Sequence, residues 1–284
     1  MIRYAFAILT FVVLIGQPVL AGGLEHVQER VDAEGADRLD VVMEFGAGEL
    51  TIRGRDMSEA AVVEIDFNPK RIDYMIDYRL RGSTGQLELE SIFRNRKSID
   101  TDDNIWDVTF SRRYPMSLDI EIGASEAELD LTGIPIEEMS LEIGAAAGTI
   151  VFDELNPVRM VSMDIEAGAA SLECIGLGNA NCEEFSFEGG AGSFELDFRG
   201  DFEGEMQISI EIGLGSVDIK LPRDVPVRIE AETDGWLSSI DFHGGDLEEV
   251  DDDEFESPDF DHADRRIILS LEIGMGSADI YFKR

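Results

Sequence analysis

Basic residues are scarce in this 284-residue chain: 23 Lys and Arg stand against 61 Asp and Glu, a formal net charge of −38. Nucleic acid is thereby excluded as a direct partner, because phosphate binding needs a basic footprint. Lysine is scarcest, with only Lys70, Lys97, Lys220 and Lys283. Heavy Asp and Glu with little Lys fits a salt-adapted surface, and fits equally the solubility of an exported protein. Histidine occurs three times and no Gly-x-Ser-x-Gly elbow is present, so hydrolytic catalysis has no constellation to rest on. Carboxylates are so abundant that no chosen pair carries a glycosidase signal. No enzyme activity is expected.

Cysteine occurs twice, at Cys174 and Cys182. In a chain bound for an oxidising compartment this spacing favours one local disulfide, with a pair of free buried thiols as the alternative. Long apolar runs are missing after the first residues. Residues 1–21 hold Arg3, the run AFAILTFVVLIGQPVLA, and small residues at Val19 and Ala21. This reads as a signal peptide, with an uncleaved anchor as the alternative. No Cys follows Ala21 to accept a lipid. The expectation is an exported chain, periplasmic, extracellular or at the cell surface, and not integral to the membrane after cleavage.

Charge is unevenly spread. Between Arg53 and Arg113 eleven basic residues nearly balance twelve acidic ones, whereas from Tyr114 onward nine face forty-one. The nearly neutral stretch around Arg79, Arg81, Arg94, Arg96 and Lys97 is therefore the expected docking patch for an acidic partner.

Self-similarity dominates what is present. A Glu followed two residues later by Gly recurs at Glu121, Glu142, Glu166, Glu188, Glu211 and Glu272, with Glu44 an earlier copy and Glu232 a degenerate one. Intervals from Glu121 are 21, 24, 22 and 23 residues. The interval between Glu211 and Glu272 contains both the degenerate copy and an acidic insertion at 245–262. In SIEIGLGSVDIKLP, residues 209–222, apolar side chains alternate on both sides of the glycines, the period of a strand rather than a helix. A short two-strand unit cannot bury its apolar face alone, and stacked copies can. The pattern predicts an all-β chain: a parallel β-solenoid of about 21–24 residues per coil over 114–284, preceded by a less regular β region at 22–113 with room for three coils. A β-sandwich is the alternative.

GAGELTIRG near the start, SLEIGAAAGTIVF, IEIGLGSVDIKLPRDVPVRIEAE and the closing LSLEIGMGSADIYF, in that order, resemble the bacterial toast-rack domains, including the C-terminal domains of LiaF-type envelope-stress regulators. The resemblance implies a right-handed, single-chain parallel β-solenoid and no catalytic residues. Some members act in envelope-stress signalling and others are suspected adhesins. This chain lacks the regulators' membrane helices, which speaks against direct control of a membrane kinase.

The Gly-x-Gly corner is not a phosphate loop, since strand rather than helix follows it and carboxylates surround it. A structural corner is the reading, with glycine for unusual backbone angles or close approach. In a parallel stack Glu121, Glu142, Glu166, Glu188, Glu211 and Glu232 would form an outward ladder about 4.8 Å apart. Repulsion between neighbours is about 0.9 kcal/mol in water, and salt would screen most of it. Diffuse cation binding is expected there. Ca²⁺ is the one specific ion the ladder could attract, although no GGxGxD repeat occurs; otherwise no cofactor is expected. The insertion reads as a mobile acidic loop. With only Lys283 and Arg284 after the last strand, the C-terminal coil is expected either to self-associate or to be covered by another segment. The function expected is an adhesin- or scaffold-like module for envelope or surface contact, its partner an envelope protein or glycan. A periplasmic accessory of an envelope-stress system is the second reading, and a polysaccharide-acting enzyme the third.

Overall fold

The computed structural model describes residues 23–94, 101–233 and 237–284, and its regular elements are β-strands with three short 3₁₀ turns. The expected signal segment lies outside the described residues. The N-terminal part contains β1 (Glu25–Asp32), β2 (Arg38–Arg55), β3 (Glu59–Phe67), β4 (Ile72–Arg81), β5 (Thr84–Phe93) and β6 (Asn104–Ser111). β2 bends at Gly46 and Gly48 into two arms. β5 pairs in parallel with its first arm and β6 with its second, so two separate strands do the work of one coil. β4 lies antiparallel to β5 beyond a turn at Gly82, where φ is 67°. β3 runs antiparallel to β6, and β1 antiparallel to β3. The region thus holds one long two-armed strand, two strands that pair with its separate arms and three antiparallel strands, not three ordinary repeats.

The regular part continues through β7 (Met116–Asp130), β8 (Ile136–Ile143), β9 (Ala147–Val151), β10 (Met160–Ile175), β11 (Cys182–Asp197) and β12 (Glu205–Pro222). β7 pairs in parallel with β2, β8 and β9 together with β7, and each later ribbon with its predecessor. Then come β13 (Val227–Thr233), β14 (Ser238–His243), β15 (Glu248–Asp251), β16 (Glu254–Glu256) and β17 (Arg266–Lys283). Here spatial order departs from sequence order. β17 pairs in parallel with β12 along its whole length, and β13 and β14 pair with the far side of β17. The C-terminal coil is therefore enclosed on both edges. Cover by another segment is what occurs, and β17 offers no free edge for self-association.

Alternation drives this stacking. In β12 Met206, Ile208, Ile210, Ile212, Val217, Ile219 and Leu221 are buried, and the residues between them face outward. Their counterparts in neighbouring ribbons form one continuous apolar column. Phe185 packs edge-on against Phe198, and Phe187 against Phe194, each pair with ring centroids 5.0 Å apart. The linkers that return the chain to the next ribbon keep scattered backbone bonds to one another, such as Asn156 N to Asn179 O at 2.7 Å, and asparagine amides add to them. Asn156 Nδ2 donates to Ile136 O at 2.8 Å and to Ala180 O at 3.1 Å. Asn179 Nδ2 donates to Phe152 O at 2.8 Å while its Oδ1 accepts from Asp201 N at 2.8 Å. Buried backbone groups are thereby satisfied where the strands stop.

The acidic insertion is folded rather than a mobile loop. β15 and β16 form an antiparallel hairpin, and β16 adds antiparallel to β13. Phe255 packs against Phe242 with the rings tilted and centroids 4.8 Å apart, and Phe260 is buried beneath the Arg228 guanidinium at 4.3 Å. Arg228 also meets Glu256 at 2.7 Å, Glu254 at 3.5 Å and Asp261 at 3.6 Å. One arginine thus collects three of the carboxylates that would otherwise repel one another, and from the insertion Leu247 and Phe255 pack against the apolar column.

Candidate functional site

The corner glycines fix the geometry of the outward faces. Gly215 has φ +139° and Gly276 φ +140°, a region L side chains rarely adopt. A β-carbon on Gly276 would also collide with the carbonyl oxygen of Gly215, and one on Gly215 with that of Gly192. Successive corners therefore approach through bare backbone, and the coils stay in register.

That register aligns the predicted glutamates. Glu44 pairs with Glu121, Glu121 with Glu142, Glu142 with Glu166, Glu166 with Glu188, and Glu188 with Glu211. Glu211 is followed by Glu272 and only then by Glu232. Glu90 on β5 extends the row beyond Glu44. The ladder is thus one longer than the repeat predicts at its first end and differently ordered at its last. Its carboxylates are exposed except at half-buried Glu90. Their outward direction follows from alternation with buried Ile122, Leu141, Ile165, Phe187, Ile210 and Leu271.

A second row lies past the corner. Ser171, Ser193, Ser216, Ser277 and Ser239 are neighbours in register, and two residues on come Glu173, Glu195, Asp218, Asp279 and Asp241. The sequence carries its signal as Ser-x-Glu or Ser-x-Asp after these five corners, but not after those of β2, β7 and β8–β9, and the Glu-x-Gly alignment passes over it. Lys220 Nζ bonds Glu195, and His243 Nε2 meets Asp279 Oδ1 at 2.6 Å. Burial, with Asp279 and then Glu195 beside it, raises the Asp218 carboxyl above its ordinary range. A shallow groove of about 640 Å³ runs along this face between Glu49 and Asp218. Among the described residues no three His, Cys, Asp or Glu side chains converge as a metal-binding group. Each row supplies at most one carboxylate per repeat, a line of charge rather than a cage.

The expected basic docking patch is not gathered. Arg79 and Arg81 sit at one end of β4, whereas Arg94 follows Phe93, which pairs with Ile72 at the other end. The antiparallel hairpin separates them by about 30 Å at the rise of a strand. Arg79 is paired with Asp77 at 2.8 Å and Arg94 with Asp73 at 2.7 Å. Arg96 and Lys97 lie outside the described residues.

The expected disulfide is likewise not formed: Cys174 and Cys182 are both free and buried. Cys174 is level with Leu196 near the end of one ribbon, and Cys182 opens the next level with Met160, with a 3₁₀ turn between them. Burial pushes the Cys182 thiol up to about 12 and the Cys174 thiol upward as well.

Residues 21–175 match a family described as the N-terminal domain of toast_rack, DUF2154. No curated protein matches the chain. Among solved structures, a candidate cell adhesion protein from Clostridium sporogenes is 17% identical over 92% of this chain and 100% of its own, with a TM-score of 0.48. A candidate adhesin from Bacteroides fragilis is 9% identical over 92% and 98%, with a TM-score of 0.42. A candidate lipid binding protein from Parabacteroides distasonis is 13% identical over 91% and 97%, at 0.41. Among the described residues no helix is long and apolar enough to cross a membrane.

Proposed function

The chain belongs to the toast-rack family, and we propose that this member is an exported, non-enzymatic binding module of the cell envelope, built as a right-handed β-solenoid. The observation that carries this reading is the in-register row from Glu90 through Glu44 to Glu232, with the second row beside it. Repetition at strand spacing suits recognition of an extended partner, since each coil presents the same group at a step of about 4.8 Å. A reaction centre instead needs a few groups converging on one point. These carboxylates lie along flat faces on either side of a corner, so each can act on a passing partner and none encloses a substrate.

Cations enter the proposal as a screening atmosphere along the rows, with no resident cofactor required. The partner is an envelope protein or glycan met outside the cytoplasmic membrane. A pull-down of the protein from envelope extract, at low and high salt and with and without CaCl₂, tests this. Retention of a defined envelope component that weakens at high salt is expected. Recovery of nothing above a bare resin under any condition would remove the reading.

A further inference from the structure

The middle residue of the glycine corner changes character along the stack. It is Ala124 in β7, Ala169 in β10 and Ala191 in β11. Ala191 is then followed in register by Leu214 of β12, and Leu214 by Met275 of β17. On the last coil Leu237 takes the adjoining place, its carbonyl accepting from Gly276 N at 3.3 Å. These three side chains are 50%, 46% and 54% exposed. A corner needs no large side chain at this place, as the alanines demonstrate, and three consecutive exposed apolar groups oppose solubility. Carboxylates bound this ridge on both sides: Glu211, Glu272 and Glu232 before it, Asp218, Asp279 and Asp241 after it.

We propose that the ridge of Leu214, Met275 and Leu237 docks a basic segment of a partner protein that carries large apolar side chains among its Lys or Arg residues. This rests on the surface-binding reading and gives the partner its chemistry. Charge complementarity selects the occupant. A second copy would bring like-signed rows face to face, and an anionic lipid surface would be repelled by both of them. An apolar side chain seated on the ridge leaves basic neighbours over a carboxylate row on either side. The apolar contact then supplies retention and the charges supply orientation.

The test measures binding of two fluorescent peptides to the purified protein by anisotropy, one alternating lysine and leucine and one of lysine alone with equal charge. The triple variant Leu214→Ala/Met275→Ala/Leu237→Ala changes only exposed side chains, and its melting temperature checks that the fold persists. We expect the lysine–leucine peptide to bind more tightly than polylysine and to lose about tenfold or more in affinity on the triple variant. Glu211→Gln/Glu272→Gln should weaken both peptides, most at low salt. Equal binding of both peptides, or unchanged affinity in the triple variant, would overturn the proposal. So would ridge-dependent binding to anionic or zwitterionic vesicles in place of peptide. If the triple variant still retains the same envelope component in the pull-down, the ridge proposal fails and the surface-binding reading stands; if neither form retains any, that reading fails instead.

Discussion

Glu211 on β12 lies in register with Glu272 on β17, not with Glu232, the next copy of its motif along the chain. Parallel pairing places such outward neighbours about 4.8 Å apart, and each adjacent pair costs about 0.9 kcal/mol in water. Thermal stability should therefore rise with NaCl, and with CaCl₂ at lower concentration. Glu188→Gln/Glu211→Gln should raise the melting temperature at low ionic strength, and the gain should shrink toward zero in molar salt. Melts that ignore both salt and substitution would show that the row is not under electrostatic load.

Gly276 combines a positive φ with backbone contact on Gly215. Gly276→Ala should cost at least about 3 kcal/mol, measured by denaturant unfolding. Gly82, at positive φ but with open space where a β-carbon would go, should cost less in the same substitution, since only the backbone angle opposes it.

Phe260 is buried under Arg228 and Arg266, apart from the main apolar column. Phe260→Ala should cost about 3–4 kcal/mol. Replacing the 245–262 segment by a short linker should expose one end of the apolar column, because β16 is the strand that covers the outer edge of β13. Light scattering should then report association of a chain whose circular dichroism keeps its β signature, less the two short strands removed.

The folded-state pKa of Asp218 is raised by its burial and its acidic neighbours. The native chain binds this proton more tightly than the unfolded chain does. The group therefore destabilises near neutral pH, and the penalty is relieved as pH falls through the raised value toward the ordinary aspartate range. Asp218→Asn should add about 0.5 kcal/mol near pH 7, with a flatter stability profile on mild acidification. A loss of stability at pH 7 would contradict this.

Cys174 and Cys182 should resist a thiol reagent in the native protein and both react in denaturant, because burial holds each as the neutral thiol. A chain with a disulfide would show no reactive thiol in either state.

How far the sequence can be read depends on which residues repeat. The Glu row is legible because the same residue stands two before a glycine in coil after coil, and inward Ile and Leu alternation fixes its direction. Glu90 escapes because β5 is a straight strand without a corner and borrows its register from β2. The second row escapes because its positions drift between Glu, Asp and, at Thr149, a neutral residue. The insertion misleads because its charge outweighs the two aromatic residues that anchor it, and a count of acids is blind to what Phe255 and Phe260 cover. Coil order is hidden for a different reason. An interval measures the length of chain between two corners, and both stacking orders use the same length.

The placement of β17 between β12 and β13–β14 has a consequence for the order of assembly. As the chain emerges from its N-terminus, the ribbons from β7 to β12 can each settle on the one before. β13 and β14 cannot, because the surface they occupy does not exist until Arg266–Lys283 has arrived. The later-made segment must enter ahead of an earlier one, so β17 and β13–β14 close together as a clasp, and a chain cut short before β17 would keep β12 as an open end.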